Sequence, residues 1–190
     1  MQLARYAYEW SETPVFPLAS GQLSNEYLDC KRALSLAETM ALLGPHLCGM
    51  LERSVSAIGG LTMGADPLAM SASQASAGSQ REVRWFSVRK EAKKHGKQKL
   101  IEGFVNAGDR VAVVDDVVTT GMSTVQAIRA CRDAGLNVVQ VIVLVDREQD
   151  GGLAKIRAEA GCRVDAICTK SEIAAAWQLL QGTSALRATA

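Results

Sequence analysis

Two adjacent carboxylates, Asp115 and Asp116, separate an apolar run from a segment rich in hydroxyl side chains and glycine. The run before them, Val111–Val114, is entirely apolar, as expected of a parallel strand covered on both faces. The segment Thr119–Ser123 places small side chains and free backbone N–H groups at a predicted helix N-terminus. The amides and the helix dipole favour an anion there. Because the carboxylates would repel that anion, we expect them to face sugar hydroxyls or a cationic or metal-bound ligand. The pattern predicts a sugar phosphate at the carboxyl end of a sheet.

The simplest alternative for this segment is an ordinary strand-to-helix turn, because Ser123 and Gln126 have capping-box spacing. Vicinal aspartates at the end of an apolar strand are nevertheless costly without a ligand, since like charges this close disfavour ionisation. Phosphoacceptor receiver domains, which bind magnesium, also carry such a pair but lack the Thr-Thr-Gly-Met-Ser sequel. We therefore favour the functional interpretation.

A strongly basic window lies between Arg89 and Lys99, where six cations accompany one acid and give +5 in a chain of net +1. Such a local cluster indicates a specific polyanion rather than nucleic acid or a membrane surface. The segment Arg89–Gly103 follows a predicted strand and contains His95-Gly96, so it is predicted to be a lid that screens a pyrophosphate. A solvated surface turn is the alternative, and it is the usual explanation of a charge run alone.

Two further loops follow predicted strands. The glycines of Gly59–Pro67 would let the backbone approach an anion closely, although a tight turn explains them equally simply. Arg147, after Asp146, could hold a planar carboxylate or carbonyl in a bidentate manner, with a surface ion pair as the alternative. We expect His46 to be structural.

Alternating elements predict an α/β fold with a doubly wound, mainly parallel sheet and right-handed crossovers. Ligands of such sheets bind beyond the carboxyl ends of the strands. Ser35 and Glu38 are spaced as a capping box, and Gly44-Pro45 is expected to kink or interrupt the predicted helix 34–51. The tail 181–190 is predicted to be disordered. The predicted helices are 2–10, 34–51, 68–77, 124–134, 153–160 and 171–180, and the predicted strands are 54–58, 83–88, 111–114, 138–145 and 164–168.

Length and composition fit one globular domain, with 190 residues, 48% hydrophobic and 22% charged. No apolar run approaches the roughly 20 residues needed to span a bilayer, and the N-terminus lacks the apolar core of a secretory signal. The five cysteines show no C-x-x-C spacing and favour reduced thiols over disulfides or zinc. Two histidines exclude a multi-histidine metal site. We expect a cytoplasmic protein.

The segment 113–123, Val-Val-Asp-Asp-Val-Val-Thr-Thr-Gly-Met-Ser, resembles the phosphoribosyl-pyrophosphate motif of type I phosphoribosyltransferases. Three further segments resemble the orotate phosphoribosyltransferases: 16–29, 89–96 and 146–147. The resemblance covers about residues 1 to 175, and segment 89–96 distinguishes it from the purine enzymes. It implies the type I phosphoribosyltransferase fold as one domain over 1–180, with a small N-terminal hood over about 1–33 and a lid over 89–103.

The resemblance implies a magnesium-dependent transfer of ribose 5-phosphate from phosphoribosyl pyrophosphate (PRPP) to orotate. The products would be orotidine 5′-monophosphate and pyrophosphate, in de novo pyrimidine (UMP) biosynthesis. Three residues would be catalytic: Asp115 and Asp116, which would hold the ribose hydroxyls, and Lys93, which would lie over the pyrophosphate. PRPP would also contact Arg89, Lys90, His95, Val117, Val118, Thr119, Thr120, Gly121, Met122 and Ser123. Orotate would contact Thr119, Arg147, Tyr27 and Leu28. Magnesium would have no direct protein ligand and would be held mainly through the substrate.

The resemblance also implies a homodimer, because the family's lid reaches the neighbouring subunit's site. Nucleic acid and membranes are not expected partners.

Ala19 and Met63 depart from the many relatives that carry lysine at these positions. Two alternatives remain: a regulatory protein of the same fold that binds nucleotide and nucleic acid, and a transferase for another base. The lid and the net acidic remainder of the chain oppose the first, and Arg147 and the hood oppose the second.

Overall fold

A computed structural model of the chain describes residues 1–17, 21–91 and 99–188, with side chains described up to residue 182. In chain order the elements are α1 Gln2–Tyr6, β1 Tyr8–Trp10, β2 Phe16–Pro17, β3 Leu23–Ser24, β4 Glu26–Leu28, α2 Cys30–Leu34, α3 Ala37–Met50, β5 Ala57–Leu61, α4 Ala65–Ser76, β6 Arg84–Val88, β7 Ile101–Gly103, β8 Arg110–Val118, α5 Met122–Asp133, β9 Asn137–Asp146, α6 Gly152–Ala160, β10 Arg163–Thr169 and α7 Lys170–Ala188. Among these residues, no helix combines the length and the apolar character needed to cross a bilayer.

The main sheet has six strands in the order β10-β9-β8-β5-β6-β7, and all neighbours are parallel except β6 and β7. The apolar run of β8 is completely buried, because helices cover both faces of the sheet. Ala112 and Val114 pack in the core that contains residues of α3 and α4, whereas Val111 and Val113 pack in the core of α5 and α6. The predicted doubly wound, mainly parallel sheet is therefore confirmed.

The N-terminal hood consists of α1, α2 and two small antiparallel pairs, β1 with β4 and β2 with β3. Aromatic contacts fasten it to α7: the Trp177 ring lies 5.9 Å from that of Tyr8 and 6.2 Å from that of Trp10. An ion pair between Glu26 of β4 and Lys170 of α7 adds a polar tie. The hood is thus attached to the C-terminal helix α7.

The N-terminal helices differ from the sequence prediction. The predicted helix 2–10 ends at Tyr6, because residues 8–10 satisfy their backbone groups by pairing with β4. Ser35 does not cap α3; its hydroxyl donates to the Arg32 carbonyl at 2.8 Å. The helix is not interrupted at Pro45, since α3 continues through it. Packing against α4 supports the continuous helix at Gly44, where a Cβ would lie 2.4 Å from the Ser71 carbonyl oxygen.

The strand predicted over 54–58 was wrong at both ends. Strand β5 begins at Ala57 and includes Gly59 and Gly60 instead of ending before them. A Cβ would lie 2.2 Å from the Phe86 carbonyl oxygen at Gly59, and 2.1 Å from that of Val114 at Gly60. These glycines therefore permit close backbone packing within the sheet.

The lid and the C-terminal tail also contain more regular structure than predicted. The last three residues of the predicted lid, Ile101–Gly103, form edge strand β7 against β6. Helix α7 continues to Ala188, although 181–190 was predicted to be disordered. Residues 181–188 contain no proline and include alanine, leucine and arginine, which favour helix.

Candidate active site

The acid pair lies at the carboxyl end of β8, where hydrogen bonds fix both side chains. Asp115 is 5% exposed. Its Oδ2 accepts a 2.6 Å hydrogen bond from the Thr124 hydroxyl, and its Oδ1 accepts one of 3.1 Å from the Asp116 backbone N–H. The Asp116 Oδ1 accepts a 2.9 Å hydrogen bond from the Val117 backbone N–H. The two carboxylates are therefore oriented before any ligand binds.

Burial, together with the nearby charge of Asp116, raises the pKa of Asp115 from 3.8 to about 6, against the opposing effect of the Thr124 hydrogen bond. A buried carboxylate that is ionised at neutral pH destabilises the fold unless a ligand compensates for its lost hydration. Hydrogen-bond donors such as sugar hydroxyls would provide that compensation. Such perturbed groups cluster at functional sites.

The loop from Thr119 to Ser123 forms a small concave surface, the phosphate cup. Gly121 has a φ of 77°, a left-handed conformation that suits glycine, and no side chain caps α5. The first backbone N–H groups of α5 consequently remain available to an anion. The cavity measures about 160 Å³ and is lined by Asp115, Val117, Val118, Thr119, Thr120, Gly121, Met122 and Ser123.

The capping box predicted from Ser123 and Gln126 is not formed, because α5 begins at Met122 with Gly121 as its cap. The Gln126 amide instead donates a 3.0 Å hydrogen bond to the Lys90 carbonyl. This bond connects α5 to the first residues of the predicted lid.

A second cavity, the acid-pair cavity, adjoins the cup and measures about 310 Å³. The loop between β5 and α4 forms one wall, where the Thr62–Met63 peptide is cis. Gly64 permits this wall to approach the carboxylates, since a Cβ there would lie 2.3 Å from the Asp116 Oδ1. The lining residues are Lys31, Leu61, Thr62, Met63, Gly64, Lys90, Asp115, Asp116, Val117 and Ser123. Because three of these also line the cup, the two cavities form one continuous site.

Arg147 lies next to the cup at the carboxyl end of β9. Its backbone N–H donates to the Val118 carbonyl at 2.9 Å, and the pairing of Val118 with Asp146 places Thr119 beside it. The Arg147 Nε is buried and has no hydrogen-bond partner among the described residues. A buried, unpaired guanidinium donor is costly unless a ligand completes it. The structure therefore brings Arg147 and Thr119 together at neighbouring strand ends, and their role in binding orotate stays a prediction.

The hood strand β4 reaches the same region through Glu26, which accepts hydrogen bonds from the Tyr8 hydroxyl and the Lys170 ammonium. Burial opposes ionisation of Glu26, but the hydrogen bonds from Lys170 and Tyr8 and the charge of Arg147 together lower its pKa. Arg147 is therefore within electrostatic reach of β4. This network lies between the hood and the carboxyl ends of the strands.

The two hood residues predicted to contact orotate have different surroundings. Tyr27 is 40% exposed and stacks on Phe16 with ring centroids 5.7 Å apart. Leu28 is 8% exposed and belongs to the hydrophobic core. Because successive strand residues point to opposite faces, these side chains do not share one surface of β4. Their role in binding orotate stays a prediction.

The structure also locates both ends of the predicted lid. The Arg89 backbone N–H donates to the Leu100 carbonyl at 2.8 Å, and its guanidinium lies 3.6 Å from the Glu102 carboxylate. Lys90 lines the acid-pair cavity. The predicted residues Lys93 and His95 lie outside the described residues, as does Ala19.

Two polar residues of the site were missed in the sequence. Thr124 was assigned only to the start of a helix, although a hydroxyl directly after the cup was a signal for a bond back to the acid pair. Lys31 was not singled out, and its place in the acid-pair cavity depends on how the hood packs on the sheet. No local sequence pattern reveals that packing.

The chemistry of the donors limits how a metal ion could bind. The described residues contain no group of three or more histidine, cysteine, aspartate or glutamate side chains suited to a metal ion. Both oxygens of Asp115 already accept hydrogen bonds. Mg²⁺ commonly takes one or two carboxylates and completes its coordination with substrate phosphates and water. The site fits a magnesium ion that arrives with a phosphorylated substrate.

Two kinds of comparison relate the chain to known proteins, by sequence and by structure, although no family model matches it. It is 44% identical to the orotate phosphoribosyltransferase of Aquifex aeolicus over 142 residues, covering 74% of this chain and 78% of that protein. It is 39% identical to the Leptospira biflexa orotate phosphoribosyltransferase over 171 residues, covering 88% and 91%.

A similar solved structure is that of the Mycobacterium tuberculosis H37Rv orotate phosphoribosyltransferase. Its complex with Fe(III) dicitrate has a TM-score of 0.76 and 36% identity, covering 90% of this chain and 94% of that chain. Its complex with PRPP has a TM-score of 0.65 and 36% identity, covering 77% and 82%.

Proposed function

Because the chain belongs to the orotate phosphoribosyltransferase family, we propose that its phosphate cup and acid-pair cavity together bind one molecule of PRPP, with orotate beside Arg147. The protein is a pentosyltransferase of the type I fold. It transfers ribose 5-phosphate from PRPP to orotate in pyrimidine biosynthesis. The observation that carries the assignment of the site is the continuity of the cup with the acid pair at the carboxyl end of β8.

In this proposal the 5′-phosphate binds the free N–H groups of the cup. The ribose hydroxyls donate to Asp115 and Asp116, whose orientation is already fixed by Thr124 and by backbone amides. The diphosphate then extends along the loop that contains Thr62 and Gly64. This arrangement would add hydroxyl donors to the buried Asp115 carboxylate, each of whose oxygens accepts one hydrogen bond within the protein.

The chemical step is a displacement at the ribose C1 with oxocarbenium character. Orotate is the nucleophile, so the protein needs neither a nucleophile nor a general base. Its contribution is to align the two substrates and to stabilise the charge that develops on the leaving pyrophosphate. Lys93, with Arg89, Lys90 and His95, supplies the cations of the lid. Arg147 and Thr119 orient orotate, with Tyr27 and Leu28 from the hood.

Magnesium is the proposed cofactor. When bound with PRPP, it offsets the negative charge of the diphosphate oxygens. The chain would hold it mainly through the substrate, with the carboxylates of Asp115 and Asp116 lining the same cavity. Removal of magnesium by a chelator should abolish turnover, whereas the circular dichroism of the protein should not change.

We further propose a homodimer in which the lid of one subunit serves the site of the other. Large apolar side chains are exposed on α4, on β6 and directly after β7: Met70, Trp85 and Phe104. Burying them against a second copy would explain their exposure. The five cysteines are unpaired, which supports a reducing compartment such as the cytoplasm.

Mixing two inactive variants tests lid sharing. Hybrid dimers of Lys93→Ala and Asp115→Ala subunits would contain one intact site each, so an equal mixture should recover about a quarter of wild-type activity after subunit exchange. Sedimentation velocity should show a dimer for each variant. No recovery after confirmed exchange would contradict the shared lid.

A panel of bases tests the reaction itself. The protein, PRPP and magnesium are mixed singly with orotate, uracil, adenine or guanine, and pyrophosphate release is measured. Release with orotate alone is expected. Release with a different base would favour a transferase for that base, and no release with any base would favour the regulatory alternative.

A further inference from the structure

The charges that line the acid-pair cavity suggest a substrate contact beyond the lid. A diphosphate placed there would meet two carboxylates, Asp115 and Asp116, so it needs cations nearby. The adjoining loop contributes none, because Met63 at its centre is uncharged and 67% exposed. Among the described residues that line the cavity, the cations are Lys90, at the start of the lid, and Lys31, from helix α2 of the hood.

Lys31 can move toward a ligand. Its side chain is 56% exposed, and its ammonium lies 2.9 Å from an oxygen of Asp29. The hydrogen bond to Asp29 raises the pKa of Lys31, and the charge of Asp116 raises it further, so the ammonium is within electrostatic reach of the acid pair. Exposed ion pairs of this kind are weak. A lysine on a flexible four-carbon chain can exchange such a partner for a phosphate oxygen.

We propose that Lys31 binds the diphosphate of PRPP in the acid-pair cavity, so that the hood contributes a cation to the diphosphate as well as a wall for the base. This inference rests on the proposed function, because it assumes that PRPP occupies this cavity. It makes Lys31 a substrate-binding residue that acts mainly on the affinity for PRPP and for pyrophosphate. The ion pair with Asp29 is then the resting position of the ammonium.

The alternative is that Lys31 only stabilises the start of α2, and the neighbouring residues provide matched controls. Asp29 caps α2 by accepting a hydrogen bond from the Lys31 backbone N–H at 3.1 Å. Asn can replace Asp as a cap, so Asp29→Asn removes the ion pair but keeps the helix start. Arg32→Gln removes a cation from the same helix that pairs with Glu9 and does not line the cavity.

The experiment compares Lys31→Met, Lys31→Arg, Asp29→Asn and Arg32→Gln with the wild type by steady-state kinetics and by product inhibition with pyrophosphate. For Lys31→Met we expect about a tenfold rise in both the KM for PRPP and the inhibition constant of pyrophosphate. The KM for orotate and the melting temperature should not change. Lys31→Arg should restore most of the affinity, and the two controls should resemble the wild type.

Two results would overturn the inference. One is a wild-type KM for PRPP in Lys31→Met. The other is an equal rise of this KM in Asp29→Asn, which would show that the Lys31–Asp29 ion pair, and not a contact of Lys31 with the diphosphate, determines the affinity for PRPP. Calorimetric titration with magnesium pyrophosphate separates this failure from failure of the proposed function. If the wild type does not turn over orotate but binds pyrophosphate about tenfold more tightly than Lys31→Met does, the proposed function fails and the role of Lys31 remains.

Discussion

Replacing Asp115 with asparagine should make the protein more stable and less active. The pKa of Asp115 is raised from 3.8 to about 6, chiefly by burial. One pKa unit corresponds to about 1.36 kcal/mol, so keeping this carboxylate ionised at neutral pH costs about 3 kcal/mol of folding free energy. Asparagine removes the charge and retains both hydrogen bonds, because the Thr124 hydroxyl can accept from its amide while its carbonyl accepts from the Asp116 N–H.

The sign of the effect depends on pH in a defined way. Between pH 3.8 and about 6 the folded state binds more protons at Asp115 than the unfolded state, so the wild type loses stability as pH rises through this window. The advantage of Asp115→Asn should therefore be about 3 kcal/mol at about pH 7, and only about 1 kcal/mol at about pH 4.5. For a chain of this length the larger value corresponds to a rise in Tm of about 6–12 °C.

Urea unfolding of ligand-free protein at both pH values measures this difference. Asp133→Asn is the matched control, because it removes an exposed carboxylate from the end of α5 and should change stability by less than about 0.5 kcal/mol. The KM of Asp115→Asn for PRPP should rise about tenfold or more, since a charged acceptor of the ribose hydroxyls is lost. A variant no more stable than the wild type at neutral pH, or one with an equal gain at both pH values, would refute the reasoning.

Three other substitutions test separate parts of the site. Arg147→Ala should raise the KM for orotate about tenfold to a hundredfold and leave the KM for PRPP unchanged, because a bidentate contact to orotate is lost. Arg147→Lys should restore only part of the affinity for orotate. Equal effects on both KM values in initial-rate measurements would contradict this role. Gly64→Ala should raise the KM for PRPP about tenfold, since its Cβ would lie 2.3 Å from the Asp116 Oδ1. Gly49→Ala is the control and should leave the kinetics unchanged, because a Cβ at Gly49 would have no neighbouring atom within 4 Å. Lys93→Ala should lower kcat by about a hundredfold without a change in Tm, because a charge contact to the transition state is lost. An unchanged kcat would show that Lys93 has no part in the mechanism.

The acid pair and the cup could be predicted because they are contiguous in sequence. An apolar strand, two aspartates and the loop to α5 follow one another within residues 111–124, and each part has a local physical signature. Arg147 was also predicted, because β9 is a long apolar run whose end is easily located. The sheet brings its strand ends together as the rule for parallel sheets requires.

Features that depend on distant contacts could not be predicted in this way. The pairing of Glu26 with Lys170 joins residues 144 positions apart, and Lys31 enters the acid-pair cavity only because the hood packs there. Strand β7 has three residues and is defined by its pairing with β6. Pro45 and Gly59 suggested breaks from their own conformational preferences, but tertiary packing outweighed those preferences.

The formation of orotidine 5′-monophosphate by the purified protein tests the central claim most directly. Orotate, PRPP and magnesium are incubated with the wild type and, as a control, with Asp115→Asn, and the product is identified by its mass while the loss of orotate absorbance gives the rate. We expect orotidine 5′-monophosphate and pyrophosphate to form in equal amounts, at a rate that Asp115→Asn lowers when PRPP is scarce. Intact orotate after prolonged incubation with folded wild-type protein would contradict the account.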